Sequence, residues 1–470
     1  MKNVYLRRRR ESSRIDVLEE DTFVIEINKH RYSFPEILTG GFIVVIIIGM
    51  LLLKLPIATR PGLETSWMTA LFTSTSATCV TGLLLVDTAA HWTWFGQLVI
   101  TMLMEVGGLG FMTFSVMGFL LIRRRMRLST QLLTQEALNL DHLSQIRVVY
   151  LIIKLSLLIQ GIGAIFLTFD LVPKYGLKRG LWLSIFQAIS AFCNAGFDLF
   201  GNSLGNFKND PYFLIVTAIL IIAGSFGFLV WQDILEYKRS RRMSLHTKLA
   251  LRTGGLLVFL SIIVYLITEK NLSQFASEMS PVNRFINTIF MAITPRTAGL
   301  TTIPYDHLSS AGISYTTILM FIGGAPGSTA GGVKTTTIGL IALQSIATLR
   351  GKSDTVMAHR RFTQENIFRA LTLMFISVVL ILTAVLLLVA TQALPVKDPL
   401  SYVLFEAVAA FGTTGISLGI TPTLNVIGKI IIMLFMFIGR VGIYTVMFSI
   451  FNAKPEKQTY RYPEESVLIG

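Results

Sequence analysis

Four short apolar stretches of this 470-residue chain each run into a single glycine followed by a bulky apolar residue. They read Thr78-Cys79-Val80-Thr81-Gly82-Leu83, Phe192-Cys193-Asn194-Ala195-Gly196-Phe197, Pro295-Arg296-Thr297-Ala298-Gly299-Leu300 and Phe411-Gly412-Thr413-Thr414-Gly415-Ile416. Ten residues before each glycine stands Phe72, Phe186, Ile289 or Phe405, and the glycines are 114, 103 and 116 residues apart. The period is therefore a whole structural unit. The chemistry open to such stretches is that of the backbone, whose fixed carbonyl dipoles can replace the water shell of a monovalent cation without holding it too tightly to leave. No acidic side chain is needed for that. Glycine admits backbone angles closed to other residues and lets the chain approach a ligand closely. Glycine is also frequent in membrane helices, so one such glycine alone would indicate helix packing. Four in register point instead to four units around one axis, which makes a pore. The candidate ion-binding residues are Thr78, Cys79, Val80, Thr81 and Gly82; Cys193, Asn194, Ala195 and Gly196; Thr297, Ala298 and Gly299; and Thr413, Thr414 and Gly415.

The elements that must position these stretches lie in lipid. The chain is 52% hydrophobic and only 14% charged, with a mean hydropathy of +0.63, whereas a soluble domain carries about 25% charged residues. A spanning helix needs about 20 apolar residues, and eight segments qualify, near 37–56, 93–121, 149–171, 211–235, 249–268, 313–348, 367–391 and 423–451. Between the members of each pair lies a shorter apolar stretch, near 66–78, 181–192, 284–294 and 401–411, which ends in one of the glycine signatures as a re-entrant half-helix would. Non-helical backbone at that depth is tolerated where it lines a water-filled cavity. The expected architecture is an all-α membrane protein of four parallel repeats, each an outer helix, a re-entrant pore helix with a filter strand, and an inner helix. The expected boundaries are a cytoplasmic segment 1–34, repeats 35–121, 148–235, 249–350 and 367–452, and a cytoplasmic tail 453–470.

The net charge of +14 follows the membrane ends rather than one patch, which argues against nucleic acid as a partner. Arg7 to Arg10 and Arg14 precede the first span, and Arg123, Arg124, Arg125, Arg127 and Arg147 lie between the second and third. Lys238, Arg239, Arg241, Arg242 and Lys248, then Arg350, Lys352, Arg360 and Arg361, occupy the next two loops of the same side. By the positive-inside rule both termini and these loops are cytoplasmic. The segment through Lys29 is polar and basic, so no removable signal peptide is expected. All four re-entrant stretches then enter from the outside, a parallel repetition unlike the inverted repeats of many alternating-access transporters.

Two features of the inner helices stand out. Gly323, Gly324, Pro326, Gly327, Gly331, Gly332 and Lys334 break the sixth span, because glycine and proline this dense cannot continue a helix. The run misses a phosphate-loop pattern by one residue and does not follow a strand. A flexible intramembrane loop fits better; a static kink is the plainer alternative. Arg440 lies inside the last inner helix, at a cost of about 3 kcal/mol on insertion scales, and such residues face a cavity or a partner. A salt bridge to Glu105 is the structural alternative; Glu105 could instead concentrate cations by its own field. Arg296 would repel a cation if it lined the filter, so it is expected to point behind it and pair with Glu406. Cys79 and Cys193 match no zinc spacing and are expected to be free thiols. No catalytic constellation is present, so an enzyme is not expected.

These signatures, the charged inner helices and the eight-span order resemble the Trk/Ktr/HKT superfamily of potassium transporters, most closely the bacterial Ktr membrane subunits KtrB and KtrD. The resemblance covers the chain from about Pro35 to the tail. It implies one pore per monomer, filter glycines Gly82, Gly196, Gly299 and Gly415, a gate in the loop of the third inner helix, and an arginine at Arg440 that projects below the filter and limits passage. It further implies K+ as the transported ion with Na+ as a possible activator, no cofactor in this chain, a homodimer in the cell membrane, and a cytoplasmic octameric ring of RCK-type subunits (KtrA or KtrC) that binds the nucleotide. Loops 236–248 and 350–366 and the tail from Tyr462 are candidate ring contacts. The alternative is a proton- or sodium-coupled secondary transporter of another solute, which would show inverted repeats and an acidic midplane site.

Overall fold

Polar side chains set where the helices begin. Ser66, Asp210, Ser244, Ser280, Ser309, Thr363, Asp398 and Asn425 each accept a hydrogen bond from a backbone N–H in the first turn of the helix that follows, a cap worth about 1 kcal/mol. The computed structural model describes residues 24–27, 30–123, 142–269, 279–392 and 398–451. Most of the expected segment 1–34, the arginines between 124 and 141, and the tail with its candidate ring contact lie outside the described residues.

A short hairpin, β1 (Val24–Ile27) and β2 (His30–Ser33), precedes the first helix. The first unit consists of α1 (Phe34–Lys54), α2 (Trp67–Thr78), the single turn α3 (Thr88–His91) and α4 (Trp94–Arg123). The second consists of α5 (His142–Tyr175), α6 (Leu177–Cys193), α7 (Pro211–Ser225) and α8 (Phe228–Ser240). The third has α9 (Leu245–Thr268), α10 (Pro281–Ile293), α11 (Ser310–Phe321) and α12 (Thr335–Leu349), followed by the hairpin β3 (Val356–Met357) and β4 (Arg360–Arg361). The fourth has α13 (Gln364–Thr391), α14 (Pro399–Phe411), α15 (Val426–Val441) and α16 (Ile443–Phe451).

All eight expected apolar segments carry helix, but the inner ones are not all straight rods. Among the described residues three helices are long and apolar enough to cross a membrane, Tyr150–Tyr175, Leu245–Thr268 and Gln364–Thr391, and the pair α7–α8 makes a fourth if counted as one span. That pair bends by 97° between Ser225 and Phe228. Gly227 sits there at φ +81°, where a Cβ would lie 2.6 Å from the Pro326 carbonyl oxygen, so the bend makes room for the loop of the third unit. The last inner helix breaks in the same way at Gly442, φ +95°. The expected break between α11 and α12 is present.

Within each unit the long first helix packs against the short helix and the inner helix; between units, α4 packs on α6, α7 on α10, α11 on α14 and α15 on α2. The inner helix of each unit thus meets the short helix of the next, and the fourth returns to the first. Phe72, Phe186 and Phe405 are fully buried in this packing, where close van der Waals contact, not transfer out of water, holds helices in lipid together. Their recurrence ten residues before a glycine reflects the buried face of the short helices, not chemistry.

Glycines let the inner helices touch the ends of the short ones. A Cβ on Gly107, Gly224 or Gly439 would overlap the carbonyl oxygen of Thr78, Phe192 or Phe411 respectively. Gly161 of α5, by contrast, has open space where its Cβ would stand. Gly224→Ala is expected to lower the midpoint of thermal unfolding in detergent by several degrees, since overpacking costs about 1–3 kcal/mol. Gly161→Ala should leave it unchanged or raise it, as alanine is favoured in a helix by about 1 kcal/mol; equal losses in both would show that the glycine contact is not tight.

Candidate ion pathway

Each short helix ends within six residues of its glycine and turns into a short segment, the filter strand, that is neither helix nor sheet. The turn has one backbone pattern. Val80, Asn194, Thr297 and Thr413 all have positive φ (54°, 57°, 80° and 49°), and two residues later so do Gly82, Gly196, Gly299 and Gly415 (87°, 73°, 73° and 79°). A non-glycine residue held there costs about 1–3 kcal/mol and persists only where its surroundings over-determine it. Backbone bonds supply part of that: Thr81 N–H donates to Ser76 O, Ala195 to Ser190 O and Thr414 to Ala409 O, all at 2.8 Å. In the third unit Pro295 has no N–H to give, the helix stops at Ile293, and Ala298 N–H bonds Thr294 O at 2.9 Å instead. Alternating the hand of successive residues brings backbone groups toward one side, as it does for the amides of an anion-binding nest.

The four strands meet. A Cβ on Gly82 would lie 2.6 Å from Ala195 O, and one on Gly196 would lie 3.3 Å from Ala298 O; on Gly299 it would overlap Thr414 O, and on Gly415 it would overlap Thr81 O. Each glycine therefore faces the carbonyl that precedes the next glycine, in chain order and back to the start. The C-terminal ends of α2, α6, α10 and α14 all approach this ring, and each helix end carries about half a negative charge. On one side the ring opens into a cavity of about 200 Å³ bordered by all four glycines. Behind the ring Cys79 and Cys193 are buried free thiols.

On the other side lies the loop between α11 and α12. Ala325 N–H donates to Ser225 O at 3.0 Å, Thr329 N–H to Gly224 O at 3.3 Å, and Phe228 N–H to Gly327 O at 2.9 Å, which fastens the loop to the bend of α7–α8. Gly332 N–H donates to Gly439 O at 3.2 Å, and Gly331 has no room for a Cβ beside Thr413. Lys334 turns back on the loop, its Nζ donating to Ala330 O at 2.6 Å. Arg440, 5% exposed, closes the arrangement. Its guanidinium donates to Gly107 O (Nη2 2.6 Å, Nε 3.2 Å) and Gly108 O (2.8 Å) on α4, and to Thr329 O in the loop. At the ends of the short helices, Asn194 Oδ1, Thr78 Oγ1, Thr297 Oγ1 and Thr413 Oγ1 are buried without a protein hydrogen-bond partner, an arrangement native proteins keep where water or an ion completes the bonding.

The model of the TrkH family of cation transport proteins matches residues 37–462. The chain is 43% identical over 444 residues to the potassium/sodium uptake protein NtpJ of Enterococcus hirae, covering 94% of this chain and 98% of that one. It is 40% identical over 441 residues to the Ktr system potassium uptake protein B of Bacillus subtilis, covering 94% and 97%. The chain belongs to the TrkH cation transport family. Its fold is similar to that of the potassium transporter TrkH of Vibrio parahaemolyticus, with a TM-score of 0.66 over 89% of this chain and 85% of that one at 18% identity. TrkH-family chains are membrane cation transporters, not enzymes.

Among the described residues of this TrkH-family chain, the ion pair expected of Arg296 and the salt bridge weighed as the alternative for Arg440 are both absent. Arg440 does not reach Glu105, whose Oε2 accepts instead from Gln160 Nε2 of α5 at 2.9 Å and from the Cys193 thiol at 3.4 Å. The guanidinium prefers backbone carbonyls, which two adjacent glycines leave open to it. Arg296 points behind the ring as expected, but its Nη1 donates to Gly254 O of α9 at 3.2 Å. Glu406 is occupied within its own unit by the hydroxyls of Ser417 and Thr421. Sequence reasoning also missed the serine and threonine props of the strands: Ser76 Oγ accepts from Gly82 N–H at 3.0 Å, Ser190 Oγ donates to Phe197 O at 2.6 Å, and Thr294 Oγ1 donates to Leu300 O. Their recurrence five or six residues before the glycine was the available signal. Arg440→Met should free the loop, and a cysteine placed by Ala330→Cys should then react with a small thiol reagent at least about tenfold faster than with Arg440 intact. Equal rates would show that the guanidinium does not hold the loop; the factor corresponds to one charged hydrogen bond of about 1.5 kcal/mol.

Proposed function

We propose that this chain is the membrane subunit of a potassium uptake system and conducts K+ through the ring at Gly82, Gly196, Gly299 and Gly415. The observation that carries the reading is the cyclic contact of those glycines with carbonyls 195, 298, 414 and 81. A dehydrated cation on that axis meets backbone oxygens from four directions, with four helix ends adding negative potential. The names of the relatives from Enterococcus and Bacillus, potassium/sodium uptake protein and potassium uptake protein, favour K+ as the cargo, with Na+ as a companion or activator. The units 35–121, 148–235, 249–350 and 367–452 are read as the four quarters of the pore.

In this reading the loop 323–334 is the gate and Arg440 its latch, a fixed positive charge that an ion leaving the ring must pass. The driving force is the membrane potential, about 2.3 kcal/mol per charge per 100 mV. Control comes from a second component of the system, a cytoplasmic ring of nucleotide-binding subunits meeting loops 236–248 and 350–366 and the tail, on a homodimer of this chain whose termini face the cytoplasm in the cell membrane. The exposed arginines Arg360 and Arg361 of the β3–β4 hairpin suit such a contact.

Rubidium and sodium flux into liposomes holding the purified chain tests the ring. Gly299→Ser adds a side chain where a Cβ already overlaps Thr414 O, and should reduce the rubidium-to-sodium flux ratio at least about tenfold, the loss of roughly 1.4 kcal/mol of discrimination. Flux that stays potassium-selective in this variant would remove the carbonyl ring as the filter. Deleting residues 325–332 should raise flux several-fold and make it insensitive to the regulatory ring; wild-type flux still under control would end the gating assignment.

A further inference from the structure

In the first three units a hydroxyl at the end of the short helix fastens the filter strand that follows it. Ser76 Oγ accepts from Gly82 N–H, Ser190 Oγ donates to Phe197 O and Thr294 Oγ1 donates to Leu300 O. These residues stand six, six and five positions before their glycine, and the corresponding positions of the fourth unit are Ala409 and Ala410. The fourth strand therefore has no hydroxyl of this kind. It is nevertheless the strand most closely engaged in the ring. Of the four approaches between a glycine and a carbonyl, the two tightest are Gly299 on Thr414 O and Gly415 on Thr81 O, and the fourth strand supplies one side of each.

One turn before the two alanines, α14 carries Glu406. It is 1% exposed, and among the described residues no lysine, arginine or histidine pairs with it. An ionisable side chain at membrane depth is costly and is kept where it serves a function. Both oxygens are spent on the segment that leaves the fourth strand. Oε1 accepts from the Ser417 hydroxyl and Oε2 from Thr421 Oγ1 at 3.0 Å, and the backbone N–H groups of Leu418 and Ile420 are turned toward the same carboxylate. Ser417 Oγ in turn accepts from Gly419 N–H at 2.8 Å. Ser417 lies two residues past Gly415 and borders the cavity on the open side of the ring. A backbone N–H can only donate, so this place calls for an acceptor with two oxygens.

We propose that Glu406 is the positioning residue of the fourth filter strand. By holding Ser417 and Thr421 it fixes Gly415 and the Thr414 carbonyl in the ring, and so sets how well the ring distinguishes potassium from sodium. The proposal rests on the reading of the ring as the ion path. Discrimination between two monovalent cations depends on the size and field of the carbonyl cage, and both change when one quarter of the cage relaxes. Glu406 touches no ion; it acts through the strand.

Rubidium and sodium flux into liposomes holding the full chain is compared for wild type, Glu406→Gln, Ser417→Ala, Glu406→Gln combined with Ala409→Ser, and Gly299→Ser. Glu406→Gln keeps the size of the side chain but puts an NH2 group where one oxygen accepts. Ala409→Ser places a hydroxyl at the position held by Ser76 and Ser190. Expected is a rubidium-to-sodium flux ratio at least about fivefold lower in Glu406→Gln and in Ser417→Ala, the factor that one lost hydrogen bond supplies, with rubidium flux itself retained. Ala409→Ser should return the ratio of Glu406→Gln most of the way to wild type, a repair that a general loss of folding would not show. A wild-type ratio in Glu406→Gln while Gly299→Ser loses selectivity overturns the brace and leaves the ring standing. A wild-type ratio in both overturns the brace and the ring reading together. A lowered ratio in Glu406→Gln that Ser417→Ala does not reproduce and Ala409→Ser does not repair also overturns the brace, because the carboxylate then acts by its charge alone.

Discussion

In the ring of Gly82, Gly196, Gly299 and Gly415 three glycines leave no room for a methyl group and Gly196 leaves it tight, and the rest of the architecture follows from that constraint. For four backbones to meet this closely, four helices must end at the same depth and four chains must turn within a few residues. The turn is made by a left-handed residue at the second position before each glycine, and that strain is held by backbone bonds behind the strand and by inner helices pressed against the helix ends. Those inner helices can approach only because they too present glycine, at Gly107, Gly224 and Gly439. The ring is thus supported by a second tier of glycine contacts, and the two tiers depend on each other.

The fourfold pattern is not uniform, and its exceptions coincide with the parts that can move. In the third unit the short helix stops at Ile293, six residues before its glycine and two before Pro295, Arg296 stands where the first two units have cysteine, and the inner helix gives way to the loop. Where the other three units press an inner-helix glycine on a helix end, the third places Gly323 against Gly331 of its own loop. Beyond the packing of Ala325 against Val230 and Ala250 and the burial of Val333, the loop is held mainly by hydrogen bonds, and it can be withdrawn at less cost than a packed helix, because sites of local opening are those with few buried apolar contacts. Among the described residues Arg440 is the one charged side chain that bonds both the loop and α4.

The glycines, the short helices and the broken third inner helix were legible in the sequence because each breaks a rule that an apolar helix obeys. A glycine after an apolar run, a stretch too short to span and a run of glycine and proline are all local signals. What could not be read was set by tertiary geometry. Nothing in Val80 or Thr413 announces a left-handed backbone, since β-branched residues disfavour it. The bend of α7–α8 arises from the loop that packs at Gly227, and Gly227 alone reads as an ordinary membrane glycine. The ion pair expected of Arg296 and the alternative pairing weighed for Arg440 failed for one reason. Charge complementarity suggested a carboxylate, whereas the nearest unhindered acceptors were carbonyls of helices, which side-chain pairing rules do not see.

The circular order of the units bears on how such a chain reaches its native state. Three of the four unit contacts join neighbours in sequence, but the fourth sets α15 against α2 and joins Arg440 to Gly107 across 333 residues. Long-range contacts form late, because the entropy of closing the loop is spent before they return anything. During synthesis the first three units therefore stand in the bilayer as an open arc, with the face of α2 and the carbonyls of Gly107 and Gly108 awaiting the last helix. A chain that stops short of α15 cannot close, and its exposed edge is complementary to the free edge of another arc. Synthesis of this protein is in that sense not complete until its final helix folds back to its first unit.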